Sequence, residues 1–252
     1  MTHFDPDAGV LRLRHGDLAV LAVLAVEPAS TRLHDHAVAP HLATLRATGL
    51  LGPGGVEPSV APLAAAVGAA RVSGTLEADD HGQPRRARLW VGEALGVVGV
   101  AVPESPAGED AYELMADTPD RLVDLLGELV GLGTAPPPPV PGEVTVDAAA
   151  LAGLLAAGQR VDTGDVAAAA DREADDPWAR ALRDGLVGAP LRWRLQAQRD
   201  GAAPGTLLDL TVLDAGAAGL WRIHWDAPRA AVAATRPSEV RAALAALADP
   251  AA

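Results

Sequence analysis

Ala116-Asp117-Thr118-Pro119-Asp120-Arg121-Leu122-Val123-Asp124-Leu125-Leu126 closes the first half of the chain, and Ala234-Thr235-Arg236-Pro237-Ser238-Glu239-Val240-Arg241-Ala242-Ala243-Leu244 closes the second. Each places a threonine one or two residues before a proline, then apolar residues at helical spacing. A polar cap followed by proline at the first helical position is a helix start. The beginnings of the halves echo each other too. Val10-Leu11-Arg12-Leu13 runs into apolar Leu18 to Val26, and Val144-Thr145-Val146 runs into Ala148 to Ala157. Solenoid repeats recur every ~20–50 residues, and this spacing is far longer. The reading is one unit used twice. It predicts an α/β (α+β) fold of two pseudo-symmetric halves, each an antiparallel β-meander with flanking helices. The halves, 1–133 and 143–252, form a single domain joined by a proline-rich linker at 134–142. Four consecutive prolines, Pro136 to Pro139, make that joint stiff and extended.

Working outward, Leu191-Arg192-Trp193-Arg194-Leu195-Gln196-Ala197-Gln198 alternates apolar and polar residues throughout. That is a strand with one buried and one wet face. Asp200-Gly201 turns it into a partner at Leu207 to Leu213, and Leu220 to Trp225 is a third run with Trp221, Ile223 and Trp225 on one face. The first half predicts the same order: Arg71 to Ala78, a polar turn from Asp79 to Pro84, Arg86 to Val91, then a covered central strand at Gly96 to Val102. Sequential strands usually pair, so each half forms a meander. Whether the meanders make one sheet or two is left open. Helices are predicted from Leu18 with Gly16 and Asp17 as turn and cap, from about Pro40 to Thr48, and from Ser59 to Val67.

Composition excludes several classes. The chain has 252 residues and is 49% hydrophobic, enough for a core. Its net charge of −13 repels phosphate backbones and anionic lipid, so neither nucleic acid nor membrane is an expected partner. All 20 basic residues are arginine, and cysteine is absent, which removes disulfides and thiolate chemistry. Acidic Asp5, Asp7 and Asp17 surround the first apolar run, against the basic start of a signal peptide, so a cytoplasmic protein is expected. No catalytic motif stands out. His34, Asp35, His36 and His41 form the only metal-like cluster. On a helix His36 points about 160° from His34, and Pro40 breaks regular placement, so no metal site is expected. No cofactor fingerprint is present: Gly52 to Gly55 lacks the lysine and the context of a phosphate loop. Arg192, Arg194, Arg199, Arg222 and His224 suggest a basic stripe for an acidic partner, or internal pairs with Asp209 and Asp214.

Leu45-Arg46-Ala47-Thr48-Gly49-Leu50-Leu51-Gly52-Pro53-Gly54-Gly55-Val56-Glu57-Pro58 resembles the L-x-x-x-G-L-L-x-x-x-G-V-x-P stretch of the EspG chaperones of mycobacterial type VII (ESX) secretion. Gly219-Leu220-Trp221-Arg222-Ile223, then Ala233-Ala234-Thr235-Arg236-Pro237, resembles that family's closing strand and P-x-T-P segment. The resemblance implies an EspG-like fold and a cytosolic, non-enzymatic chaperone or adaptor. Its partner would be a helical secreted protein, PE–PPE-like or WXG-type. By position it implies partner binding through the first-half hairpin, at Asp79, Asp80, His81, Gln83 and Arg85, and through the helical region from Ala148 to Asp184. Two rivals remain: an enzyme with a small-molecule site between the halves, and a self-associating protein or homodimer in which Trp193, Trp221 or Trp225 faces a second copy.

Overall fold

A computed structural model describes residues 2–5, 10–30, 36–80, 83–102, 111–133, 136, 140, 142–157, 160–188, 191–199 and 205–248. In chain order the first half holds β1 (His3–Asp5), β2 (Val10–Arg14), α1 (His15–Val26), α2 (Ala39–Ala47), the short pair β3 (Leu51–Gly52) and β4 (Gly55–Val56), and α3 (Ala61–Gly68). It continues with β5 (Val72–Asp80), β6 (Gln83–Val91), β7 (Gly96–Val102), β8 (Ala111–Asp117) and α4 (Pro119–Leu129). The second half holds β9 (Glu143–Asp147), α5 (Ala148–Ala157), α6 (Thr163–Ala169) and α7 (Pro177–Gly188). It closes with β10 (Leu191–Arg199), β11 (Gly205–Asp214), β12 (Leu220–Asp226), β13 (Arg229–Thr235) and α8 (Pro237–Ala245).

The meanders form one sheet, not two. Among the described residues it has 11 strands in the order β1-β2-β8-β7-β6-β5-β10-β11-β12-β13-β9, with every pairing antiparallel. Read outward from the β5–β10 junction, the halves match: a four-strand meander, then the strand that leads into the half's first helix (β2 or β9) returning beside the meander's last. Each meander holds four strands where the sequence predicted three. The additions are β8 and β13. The predicted polar turn is also tighter, because β5 runs to Asp80 and pairs it with Gln83.

The two quoted segments start α4 and α8. Pro119 and Pro237 occupy the first turns. Three and seven residues on from each proline, Leu122 and Leu126, and Val240 and Leu244, are all buried in one core. Burying such side chains contributes ~1.5–3 kcal/mol each. The predicted cap is only half right: Thr118 has the extended cap backbone, but its hydroxyl makes no capping bond. At α8 the reciprocal device is Glu239, which accepts from the Arg236 amide and the Thr235 hydroxyl. The Thr235 hydrogen bond leads in holding the Glu239 carboxyl below its usual range.

The helices are distributed unevenly over the two faces. α4 and α8 cover the middle of one face, over Leu76, Leu89, Leu195 and Val212. On the other face α1 to α3 cover the first-half end, over Leu11, Leu13, Val97 and Leu114. α5 to α7 cover the second-half end, over Val146, Leu213, Ile223 and Val232. Asp17 is not the predicted cap. β2 passes directly into α1, which begins at His15, so Asp17 falls in the first turn and is buried.

Candidate functional site

The middle of that second face carries polar side chains. The alternation in β10 sends Trp193, Leu195 and Ala197 into the core and turns Arg192, Arg194, Gln196 and Gln198 the other way. Register continues this polar row across the junction: Arg192 lies opposite Asp79, Arg194 opposite Glu77, Gln196 opposite Thr75 and Gln198 opposite Ser73. β6 adds Arg86 opposite Glu77 and Arg88 opposite Thr75. β11 adds Asp209 opposite Gln196. Thr75, Glu77, Arg86, Gln196 and Gln198 are exposed, although they sit on interior strands of a wide sheet. The result is a polar trough, floored by β6, β5, β10 and β11 and walled at each end by helices.

Its charges are arranged in opposed pairs. Arg194 donates two hydrogen bonds to Asp209, from Nε at 2.9 Å and Nη2 at 2.6 Å. Gln196 adds a third at 3.2 Å. The Arg194 hydrogen bonds hold the Asp209 carboxyl below its usual range, against a partial burial that pushes it up; the same pair raises Arg194. Arg192 stands 4.0 Å from Asp79. Arg88 reaches the first-half wall, where its guanidinium lies 6.0 Å from the centre of the Tyr112 ring. Trp90 packs edge-on against that same ring. At the other wall the Trp225 indole donates to Thr211. Arginine and tryptophan at the margins of a polar surface are the residue types that dominate protein–protein binding.

Two hollows open from the trough. One, of about 460 Å³, lies over Ser73, Thr75, Arg88, Trp90, Gln196 and Gln198. The other, of about 320 Å³, runs between the turn end of the β5–β6 hairpin and α5, touching Asp79, Arg85, Arg86, Leu155 and Trp225. The second hollow unites the two segments expected to bind a partner, the hairpin and the 148–184 region.

The five hairpin residues are not all alike. Asp79 is half-buried on the trough side. Asp80 ends β5, paired with Gln83, which is exposed. Arg85 is exposed and opposite Ala78, so it belongs to the alternate face, though it borders the hollow. His81 lies outside the described residues. Of the histidine cluster, His34 and Asp35 lie outside them too, and His36 is exposed. His41 is spoken for: its Nδ1 is 2.7 Å from the buried Asp17 carboxylate, which also accepts from the Thr2 hydroxyl. Among the described residues no three histidine, aspartate or glutamate side chains converge as metal ligands. The basic stripe divides. Arg194 makes the anticipated pair with Asp209, while Arg222, opposite Val212, sits on the other face. The tryptophan interface of the self-association reading is overturned in two of three positions, because Trp193 and Trp221 are buried in the core. Sequence reading missed Glu77, Arg86 and Leu155 as neighbours, since only the sheet order brings them together.

Among the described residues no helix is long and apolar enough to cross a membrane. No known family profile matches the chain, and no curated protein matches it. Its backbone is similar to a solved structure, that of the Mycobacterium tuberculosis type VII secretion system chaperone EspG5 in complex with the PE25–PPE41 dimer. The match has 16% identity and a TM-score of 0.60, and covers 94% of this chain and 95% of that one. At that identity the likeness establishes the fold: this chain has an EspG-like architecture.

Proposed function

We propose that this protein is a non-enzymatic chaperone or adaptor that holds a helical type VII secretion substrate, PE–PPE-like or WXG-type, in the cytoplasm. The observation that carries the reading is the centre of the sheet on this face, which no described helix covers. Both ends of that face are roofed by helices, and the middle presents a polar floor to a rod-shaped guest. The backbone likeness to EspG5, whose solved structure contains a PE25–PPE41 dimer, supports the same guest class. The hairpin residues Asp79, Asp80, His81, Gln83 and Arg85 form one lip of the docking surface, and α5 near Leu155 forms the other. The chain acts as a single domain of two quasi-repeated halves, 1–133 and 143–252, with the guest across their junction. The floor is already charge-paired, so a guest gains contacts without stranding an isolated buried charge.

The test is affinity capture of the tagged protein from its native lysate, with light scattering and mass spectrometry on the eluate. A stoichiometric complex with a helical secreted protein supports the reading. A chain that returns alone contradicts it.

A further inference from the structure

The two halves differ at their outer edges. β2 and β9 hold equivalent places: each leads without a loop into a helix and pairs with the last strand of its own meander. β2 has a further strand on its outer side, β1, pairing His3 to Asp5 with Arg12 to Val10. Beyond β9 the sheet ends, among the described residues.

The hydrogen-bond phase shows which backbone groups line that edge. The Ala234 amide donates to the Gly142 carbonyl at 3.2 Å, and the Ala148 amide to the Pro228 carbonyl at 3.0 Å. Bonded pairs alternate along an antiparallel ladder. Val144 and Val146 therefore bond inward to β13, and Glu143, Thr145 and Asp147 point their N–H and C=O groups outward. All three are exposed. Arg229 donates to the Thr145 carbonyl at 3.3 Å, which leaves that oxygen its second lone pair and leaves the amides untouched. An open edge of this kind is a template for strand addition.

Charge selects the occupant. Two copies joining β9 to β9 about Thr145 would set Glu143 against Asp147, like charges directly opposite, which is unfavourable. Across from Glu143 and Asp147 a basic side chain is favoured. The chain supplies an internal precedent for such a pairing, in which Arg12 of β2 meets Glu113 of β8 at 2.9 Å. We propose that β9 is a second interaction site, independent of the trough, that takes an extended segment of alternating apolar and basic residues from another protein as a twelfth strand.

The probe is a short fluorescent peptide alternating valine and arginine, followed by anisotropy against the full chain. Controls are a valine–glutamate peptide and the valine–arginine peptide N-methylated at its arginines, the residues whose amides would face β9. Thr145→Pro removes one outward amide without taking a bond from the β13 ladder, and edge strands tolerate proline. Glu143→Lys changes charge alone, and decides the matter by itself if Thr145→Pro melts early. Asp147 is left intact because it accepts from the Ala150 amide at the start of α5. The expected result is saturable binding of the valine–arginine peptide, weakened at least about tenfold by either substitution and by N-methylation. General adsorption of a cationic peptide to this acidic protein would survive Thr145→Pro and N-methylation, and that result overturns the proposal. So does equal binding of the valine–glutamate peptide, or no binding at all.

Discussion

Gly74→Ala probes the junction on which the whole sheet depends. Gly74 lies in β5 opposite Ala197 of β10, where the two halves meet. A Cβ at this position would sit 2.7 Å from the Gln196 carbonyl oxygen, 3.1 Å from the Ala197 Cβ and 3.1 Å from a Leu89 methyl. The Leu89 methyl can rotate aside; the carbonyl is backbone and moves only if β10 moves. Overpacking of this kind costs ~1–3 kcal/mol. Replacing glycine inside a strand returns ~0.5–1 kcal/mol through the unfolded chain. The net expectation is a loss of about 1–2 kcal/mol. At roughly 2–4 °C per kcal/mol for a chain of this length, the melting temperature falls by about 2–8 °C. Thermal unfolding by circular dichroism, with urea titration beside it, reads the change. A Gly74→Ala protein that melts at or above the parent temperature would mean that the two strands do not lie at this separation.

Gly153→Ala is the opposite case: Gly153 sits exposed in α5, and a Cβ there meets nothing within 4 Å. Helix propensity predicts a gain of about 0.8–1 kcal/mol, seen as a raised urea midpoint. Asp17→Ala removes a buried acceptor shared by Thr2 and His41. It should cost about 2–4 kcal/mol, with hydrogen exchange quickening first in α2; a loss near zero would contradict the clasp. Asp209→Asn tests the trough's ion pair. The Asp209 carboxyl is held low in the folded state by Arg194, so its stabilisation is present at neutral pH and fades as pH falls through the folded value. The pair is part-exposed, so solvent screening limits its contribution to about 0.5–1 kcal/mol. The variant should be weaker than the parent at pH 7 and converge with it in acid, as read by urea midpoints.

Sequence legibility followed local signals. Strict alternation from Leu191 to Gln198 announced both the buried and the wet face of β10, and the Thr–Pro echoes located α4 and α8. β13, Arg-Ala-Ala-Val-Ala-Ala-Thr, was invisible because alanine carries little strand preference. It is a strand because β12 and β9 supply hydrogen bonds on both sides. β8, Ala-Tyr-Glu-Leu-Met-Ala-Asp, mixes helix formers with one tyrosine and is likewise fixed by its neighbours β2 and β7. The trough itself was half legible. The polar faces of β5 and β10 are written in each strand, but their adjacency joins residues more than a hundred positions apart, and no local pattern encodes it. The Asp17–His41 contact has the same origin, since it depends on how α2 packs across α1.

The most direct test of the trough as the docking surface is site-specific photocross-linking in the native cell. A photoreactive residue replaces Thr75 or Gln196 on the floor, and Asp124 on the outer side of α4 serves as the control; all three positions are exposed. One discrete adduct, containing a helical secreted protein, is expected from both floor positions, and none from position 124. Adducts from position 124 alone, or floor positions that cross-link to nothing, would contradict docking in the trough.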